Sequence, residues 1–187
     1  MNRDTKKLTL TSMFMAVGLI LPFFTGQIPH IGRMLLPMHF PVFLCALICG
    51  WRYGTVVGFT LPLLRYALFG MPIIFPTGIA MAFELATYAF VVGYLYSHSR
   101  RQSVIVLYRS MIIAMLSGRV VWGAVQILLL GIHGNRFTWQ MFMGGAFLNA
   151  VPGIILQLIL IPAMMIGLNR AGLVHFYREQ GEIANDN

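Results

Sequence analysis

The chain has 187 residues, of which 58% are hydrophobic and 10% charged, with a mean hydropathy of +0.79 and a formal charge of +8. A soluble domain carries roughly 25% charge, and a single core cannot hide this much apolar surface. The composition therefore excludes a soluble globular protein, a disordered chain and, despite the charge, a nucleic-acid-binding one. At about 20 apolar residues per membrane crossing, the length accommodates five or six spans joined by short loops.

The first predicted span runs from Leu8 to Phe24, preceded by Arg3, Lys6 and Lys7. It has no A-x-A cleavage site, so it is expected to remain as a span and not to be removed as a signal peptide. A polar stretch with Gly and Pro follows over Thr25–Pro37 and holds His30 and Arg33. The second apolar run, Met38–Gly50, is short and closes at a predicted turn over Trp51-Arg52-Tyr53-Gly54. The third, Thr55–Phe69, carries Pro62 and Arg65. The Pro-punctuated loop Gly70–Gly78 is too hydrophobic for a solvated linker and is expected to pack on the helices. The fourth span is Ile79–Tyr96, the fifth lies within Val104–Ile132, and the sixth is Phe142–Leu168. No internal repeat interrupts this order.

Six spans with a cytoplasmic N-terminus place Arg3, Lys6, Lys7, Arg52, Arg100, Arg101, Arg170 and Arg178 inside, with Arg109 near the boundary. Only Arg33 and Arg136 fall outside. That asymmetry follows the positive-inside rule. The fold class is thus an all-α membrane protein, a compact bundle of six transmembrane helices with both ends inside. Residues 1–170 read as one transmembrane domain and 171–187 as a cytoplasmic tail.

Polar residues at membrane depth are the candidates for function, because an ionisable group there costs roughly 2.5–3.5 kcal/mol on insertion scales. Arg65, Glu84, Gln126 and Asn149 fall in the outer third and Arg119 nearer the midplane. Arg119, Trp122 and Gln126 are spaced i, i+3, i+7 and share a helix face. A guanidinium beside an indole and an amide suits a carboxylate-bearing organic molecule; alternatively, Arg119 and Glu84 simply neutralise each other. Arg65 either contacts a ligand or snorkels. Asn149 either bonds a ligand or satisfies a carbonyl freed by Pro152. His39 is a ligand contact or an interfacial histidine, and Trp139 a stacking surface or a belt anchor. Ser12 and Ala16 form a small-xxx-small pair on which another helix can approach closely, and Gly54 and Gly58 form a second.

Cys45 and Cys49 have no His or carboxylate at ligand spacing and read as buried small residues, so no metal is expected. There is no Walker A loop, no HExxH, no GxSG and no paired intramembrane aspartates. No enzyme activity is therefore expected, and uphill transport would draw its energy from a partner or an ion gradient.

The stretch Leu35-Leu36-Pro37-Met38-His39-Phe40-Pro41-Val42, followed by Cys49-Gly50, Gly54-x-x-x-Gly58 and Leu68–Pro72, resembles the S component of an energy-coupling factor (ECF) vitamin transporter. Phe75–Glu84 and the Lys6-Lys7-Leu8-Thr9 lead-in complete the pattern, which sits nearest the pantothenate-type branch. The resemblance implies a vitamin-binding subunit of a bacterial cell membrane, docking on a transmembrane coupling protein that carries two cytosolic ATPases. ATP and Mg would be used by those partners, with no cofactor in this chain. The family's docking motif Ala-x-x-x-Ala reads Ser12-x-x-x-Ala16 here. A pantothenate-like monoanion would place its carboxylate on Arg119 and its hydroxyls or amide on Asn149 and Gln126. The alternatives are an S component for hydroxymethylpyrimidine or pyridoxine and, from other classes, a structural membrane subunit or an intramembrane enzyme.

Overall fold

A computed structural model describes residues 3–26, 36–100, 102–132, 138–145 and 150–170, and every secondary-structure element among them is helical. The helices are α1 (Arg3–Gly26), α2 (His39–Ile48), α3 (Trp51–Phe69), α4 (Ile79–Ser97), α5 (Val104–Ile132), α6 (Trp139–Met143) and α7 (Val151–Arg170). A wide turn, Ile74–Gly78, leads into α4. Four segments are long and apolar enough to cross a membrane: Asp4–Phe24, Ile74–Ser97, Val104–Ile132 and Val151–Arg170.

The expected short second apolar run is observed as the helix α2, which is not among the four segments long enough to cross, and its end differs. The turn expected over Trp51–Gly54 is already helical in α3. The reversal occurs instead at Gly50, whose φ of 104° is open to glycine and strained for other residues. At 10 residues and 1.5 Å rise each, α2 covers about 15 Å, half the hydrocarbon thickness. α3 stops at Gly70, in the left-handed conformation with φ 70°, whose N–H closes on the Tyr66 carbonyl at 2.8 Å.

The sixth span also starts later than expected. Residues 139–143 form the separate short helix α6, capped by the Thr138 hydroxyl accepting from the Met141 N–H at 3.3 Å. α7 begins only at Val151, which puts Pro152 in its first turn, where the missing N–H has no intrahelical carbonyl to bond. The loop before α4 meets its expectation in part: the turn Ile74–Gly78 packs on α3, α4 and α5, while Met71 and Ile73 point outward. The tail 171–187 lies outside the described residues.

α4 is the centre of the bundle, packed against α2, α3 and α5. Lipid supplies no hydrophobic force between helices, so small residues that allow close approach decide the packing. A Cβ on Gly54 would stand 2.5 Å from the Ala46 Cβ of α2, and one on Gly58 would stand 2.6 Å from the Leu85 carbonyl oxygen of α4. The Gly54/Gly58 pair read from the sequence is therefore the seam by which α3 meets two helices. Hydroxyls are satisfied locally: Thr9, Thr11, Ser12, Thr55, Thr60, Thr87 and Ser117 each donate to the carbonyl four residues earlier. Both cysteines are free and buried.

Gly58→Ala should lower the melting temperature by roughly 2–12 °C, because the methyl meets backbone that cannot rotate away. Gly131→Ala, where nothing lies within 4 Å, should leave it unchanged or raise it. Thermal unfolding of the two purified variants followed by size exclusion checks both, and equal behaviour of the two would contradict the packing described.

Candidate functional site

Glu84 lies six residues into α4, on the face that also presents Tyr88 one turn later. That face meets α5 where residue 118 is glycine: a Cβ there would stand 2.2 Å from the Tyr88 ring. The Tyr88 ring thus lies directly against the α5 backbone at Gly118, the residue before Arg119. It also stacks on Phe43 of α2 at 5.4 Å and tilts against His39 at 5.3 Å. Three helices converge on one carboxylate.

A single oxygen, Glu84 Oε1, gathers the polar contacts. It accepts from the Tyr88 hydroxyl at 2.8 Å and pairs with Arg119 Nη1 at 2.9 Å, while His39 Nε2 stands 3.8 Å away. Glu84 is 3% exposed and Arg119 4%. At that burial each charge needs the other. Two further guanidinium nitrogens of Arg119, Nε and Nη2, are sealed from solvent with no hydrogen-bond partner, and so are both ring nitrogens of His39.

The other predicted residues divide. Gln126 is buried on α5, two turns from Arg119 toward Ile132, and Trp122 between them is half-buried. Trp122 supports the α6 segment: a Cβ on Gly145 would touch its ring at 2.8 Å, and the Phe142 ring lies 6.4 Å away. Trp139 is 72% exposed and its ring lies tilted against Phe142 at 5.4 Å. Arg65 does not join the Glu84 group. It donates through Nη1 to the Leu19 carbonyl of α1 and lies over the Phe23 and Phe69 rings at 4.8 and 5.6 Å. Ser12 and Ala16 both lie on the exposed side of α1. Asn149 lies outside the described residues.

Among the buried polar residues that the sequence does not single out, two bear on the site. Tyr88 was legible as the i+4 neighbour of Glu84, but an aromatic in an apolar span passes as core. Gln157, on α7, is buried with its Nε2 unpartnered. Among the described residues no group of three or more His, Cys, Asp or Glu is placed to hold a metal ion.

Residues 6–165 match the family model described as ECF transporter, substrate-specific component. The chain belongs to that family. No curated protein and no solved structure matches it. As a substrate-specific component with four long apolar helices it is a multi-pass membrane protein of a transport system. In this S component the Glu84–Arg119 group occupies the centre of the helical core, built from α2, α4 and α5.

Glu84→Gln should destabilise the protein strongly, by about 3–5 kcal/mol, because it leaves a buried guanidinium without its counter-charge. Combining it with Arg119→Met should recover most of that loss, since no charge then remains. Melting curves of the single and double variants check this, and a double variant no more stable than the single would show that the pair is not the source of the loss.

Proposed function

We propose that this S component binds a small carboxylate-bearing vitamin, pantothenate or a close analogue, with the carboxylate on Arg119. The observation that carries the reading is the free side of the guanidinium. Glu84 takes Nη1, and the unpartnered Nε and Nη2 form the other edge, the pair of parallel N–H donors that fits a carboxylate bidentately. The charge of the pair itself is neutral, so a bound carboxylate would rest on the open donor edge of Arg119 and not on an excess of positive charge. Gln126 and Asn149 then serve the hydroxyls and amide, and His39, Trp122 and Trp139 border the solute.

A second reading has its own support. Because Glu84 already compensates Arg119, a neutral heterocycle such as hydroxymethylpyrimidine or pyridoxine would meet a neutral pair flanked by the His39 and Tyr88 rings. Titration calorimetry against pantothenate, its neutral carboxamide analogue, hydroxymethylpyrimidine, pyridoxine and thiamine separates the two. A charge-assisted bond is worth roughly 1.5–3 kcal/mol, so pantothenate should bind about 10- to 100-fold tighter than its carboxamide. Equal affinity for acid and amide, or tighter binding of a heterocycle, would give the site to the second reading.

We further propose six spans with both ends cytoplasmic in a bacterial cell membrane, on the positive-inside asymmetry. The chain carries out no chemistry itself; a transmembrane coupling protein and two cytosolic ATPases, which use ATP and Mg, supply the work. α1 is the docking helix, because Ser12 and Ala16 turn a small-residue surface away from the bundle. Ala16→Trp should leave vitamin affinity within about two-fold of wild type while abolishing co-purification with the coupling subunits. Wild-type yield of the complex from that variant would move the docking surface elsewhere.

A further inference from the structure

Gln157 is 2% exposed, and its Nε2 is sealed without a hydrogen-bond partner. A membrane helix tolerates such an amide poorly, because each unsatisfied polar group in an apolar surrounding weakens the fold. Its position is not peripheral. Gly153, Gln157, Ile161 and Met165 form the buried stripe of α7 at spacing i, i+4, i+8, i+12. That helix packs on α2, which begins at His39, and on α5, which carries Arg119.

The direction of the stripe places Gln157 more closely. Ile161 and Met165 belong to the same core as Met111 and Met115 of α5 and Phe43 of α2. Passing from Met165 through Ile161 to Gln157 leads toward the Val151 end of α7. Passing from Met111 through Met115 to Arg119 leads toward the Ile132 end of α5. Residues 133–150 join those two ends, so Gln157 and Arg119 lie on the same side of the layer formed by Ile161, Met165, Met111 and Met115, with Ile154 and Leu158 beside Gln157 packed on the core. The unpartnered nitrogens there, from Arg119, His39 and Gln157, come from three helices and are mostly donors.

We infer that Gln157 is a further substrate-binding residue, donating its side-chain amide to an acceptor oxygen of the solute bound at Arg119. This rests on the carboxylate-vitamin reading above. A pantothenate-like solute offers amide, hydroxyl and carboxylate oxygens, and a donor-rich wall selects for them over nitrogen heterocycles that must be met by an acid. Gln157 is thereby a specificity residue as well as an affinity residue.

The test uses two variants of the purified full chain, Gln157→Met, which keeps length and loses the amide, and Gln157→Glu, which keeps shape and reverses the donor. In the absence of solute, Gln157→Met should melt roughly 2–4 °C or more above wild type, since it removes an unsatisfied buried group. Its affinity for pantothenate should fall at least about ten-fold, and that of Gln157→Glu further. A lower or unchanged melting temperature for Gln157→Met would overturn the inference, because the amide would then be bonded within the protein. Raised melting temperature with wild-type affinity would overturn it equally. If wild type binds hydroxymethylpyrimidine, pyridoxine or thiamine and not pantothenate, the carboxylate reading fails. The affinity comparison then uses the compound that binds, and a variant indistinguishable from wild type overturns the role of Gln157.

Discussion

Glu84 Oε1 is the point on which the centre of the bundle depends. Within 3.8 Å it collects Tyr88 from its own helix, Arg119 from α5 and His39 from α2. An ionised carboxylate in so dry a place persists only with its counter-charge and hydrogen bonds in position. The Tyr88 bond and the Arg119 pair do not contribute much net stability by themselves, because apolar replacements of buried pairs are often as stable or more so. Their consequence is orientation. Pinning Nη1 fixes the plane of the guanidinium and leaves the Nε–Nη2 edge directed away from Glu84.

That orientation requires helices that cannot drift. Gly118 lets the Tyr88 ring lie against α5, Gly58 brings α3 onto the α4 backbone, and Gly93 brings Trp51 within contact of α4. Each is a close approach, to a ring at Gly118 and to backbone at Gly58 and Gly93, that a single methyl would push apart. α1 is different: it packs by one face only, and Thr11, Phe14 and Gly18 mark that face while Met13, Val17 and Ile20 face outward. Arg65 ties it to α3 through the Leu19 carbonyl and the Phe23–Phe69 edge contact at 4.8 Å. The molecule thus combines a tightly interlocked core that holds polar groups in place with a peripheral helix that presents small residues outward.

Much of this was legible in the sequence, for physical reasons that also explain what was not. Long apolar runs leave no alternative to helices, so Ile79–Tyr96 and the run Val104–Ile132 are found as α4 and α5 almost to the residue. Helical period placed Arg119 and Gln126 on one face, and both are buried. Whether Arg119 faced Glu84 depended on the register between α4 and α5, which the period within either helix does not contain. Arg65 is the clearest case of that limit: its depth suggested company with Glu84, whereas the rotation of α3 sends it to α1. Boundaries went astray where one residue decides them, at Gly50, which reverses the chain ahead of the expected turn, and at Pro152, which starts α7 rather than interrupting it. Gln157 was missed because an amide inside a strongly apolar run looks tolerated until its partners are sought.

Along the helices, Thr and Ser hydroxyls return to backbone carbonyls of their own turn, so the chain pairs these polar groups locally. The sealed and unpartnered side-chain nitrogens among the described residues all belong to His39, Arg119 and Gln157, on α2, α5 and α7; Tyr96 Oη, near the Ser97 end of α4, is the one unpartnered oxygen. A bundle that satisfies hydroxyls wherever a carbonyl is in reach, yet leaves donors open where three helices meet, is less stable than its packing permits. A molecule that supplies acceptor oxygens there removes that deficit and shifts the folding equilibrium by mass action, about 2.7 kcal/mol at a hundred times its Kd. On the carboxylate-vitamin reading proposed above, the same unpaired N–H groups that weaken the empty bundle are the ones the solute would satisfy, so affinity and the stability of the empty protein would share one cause.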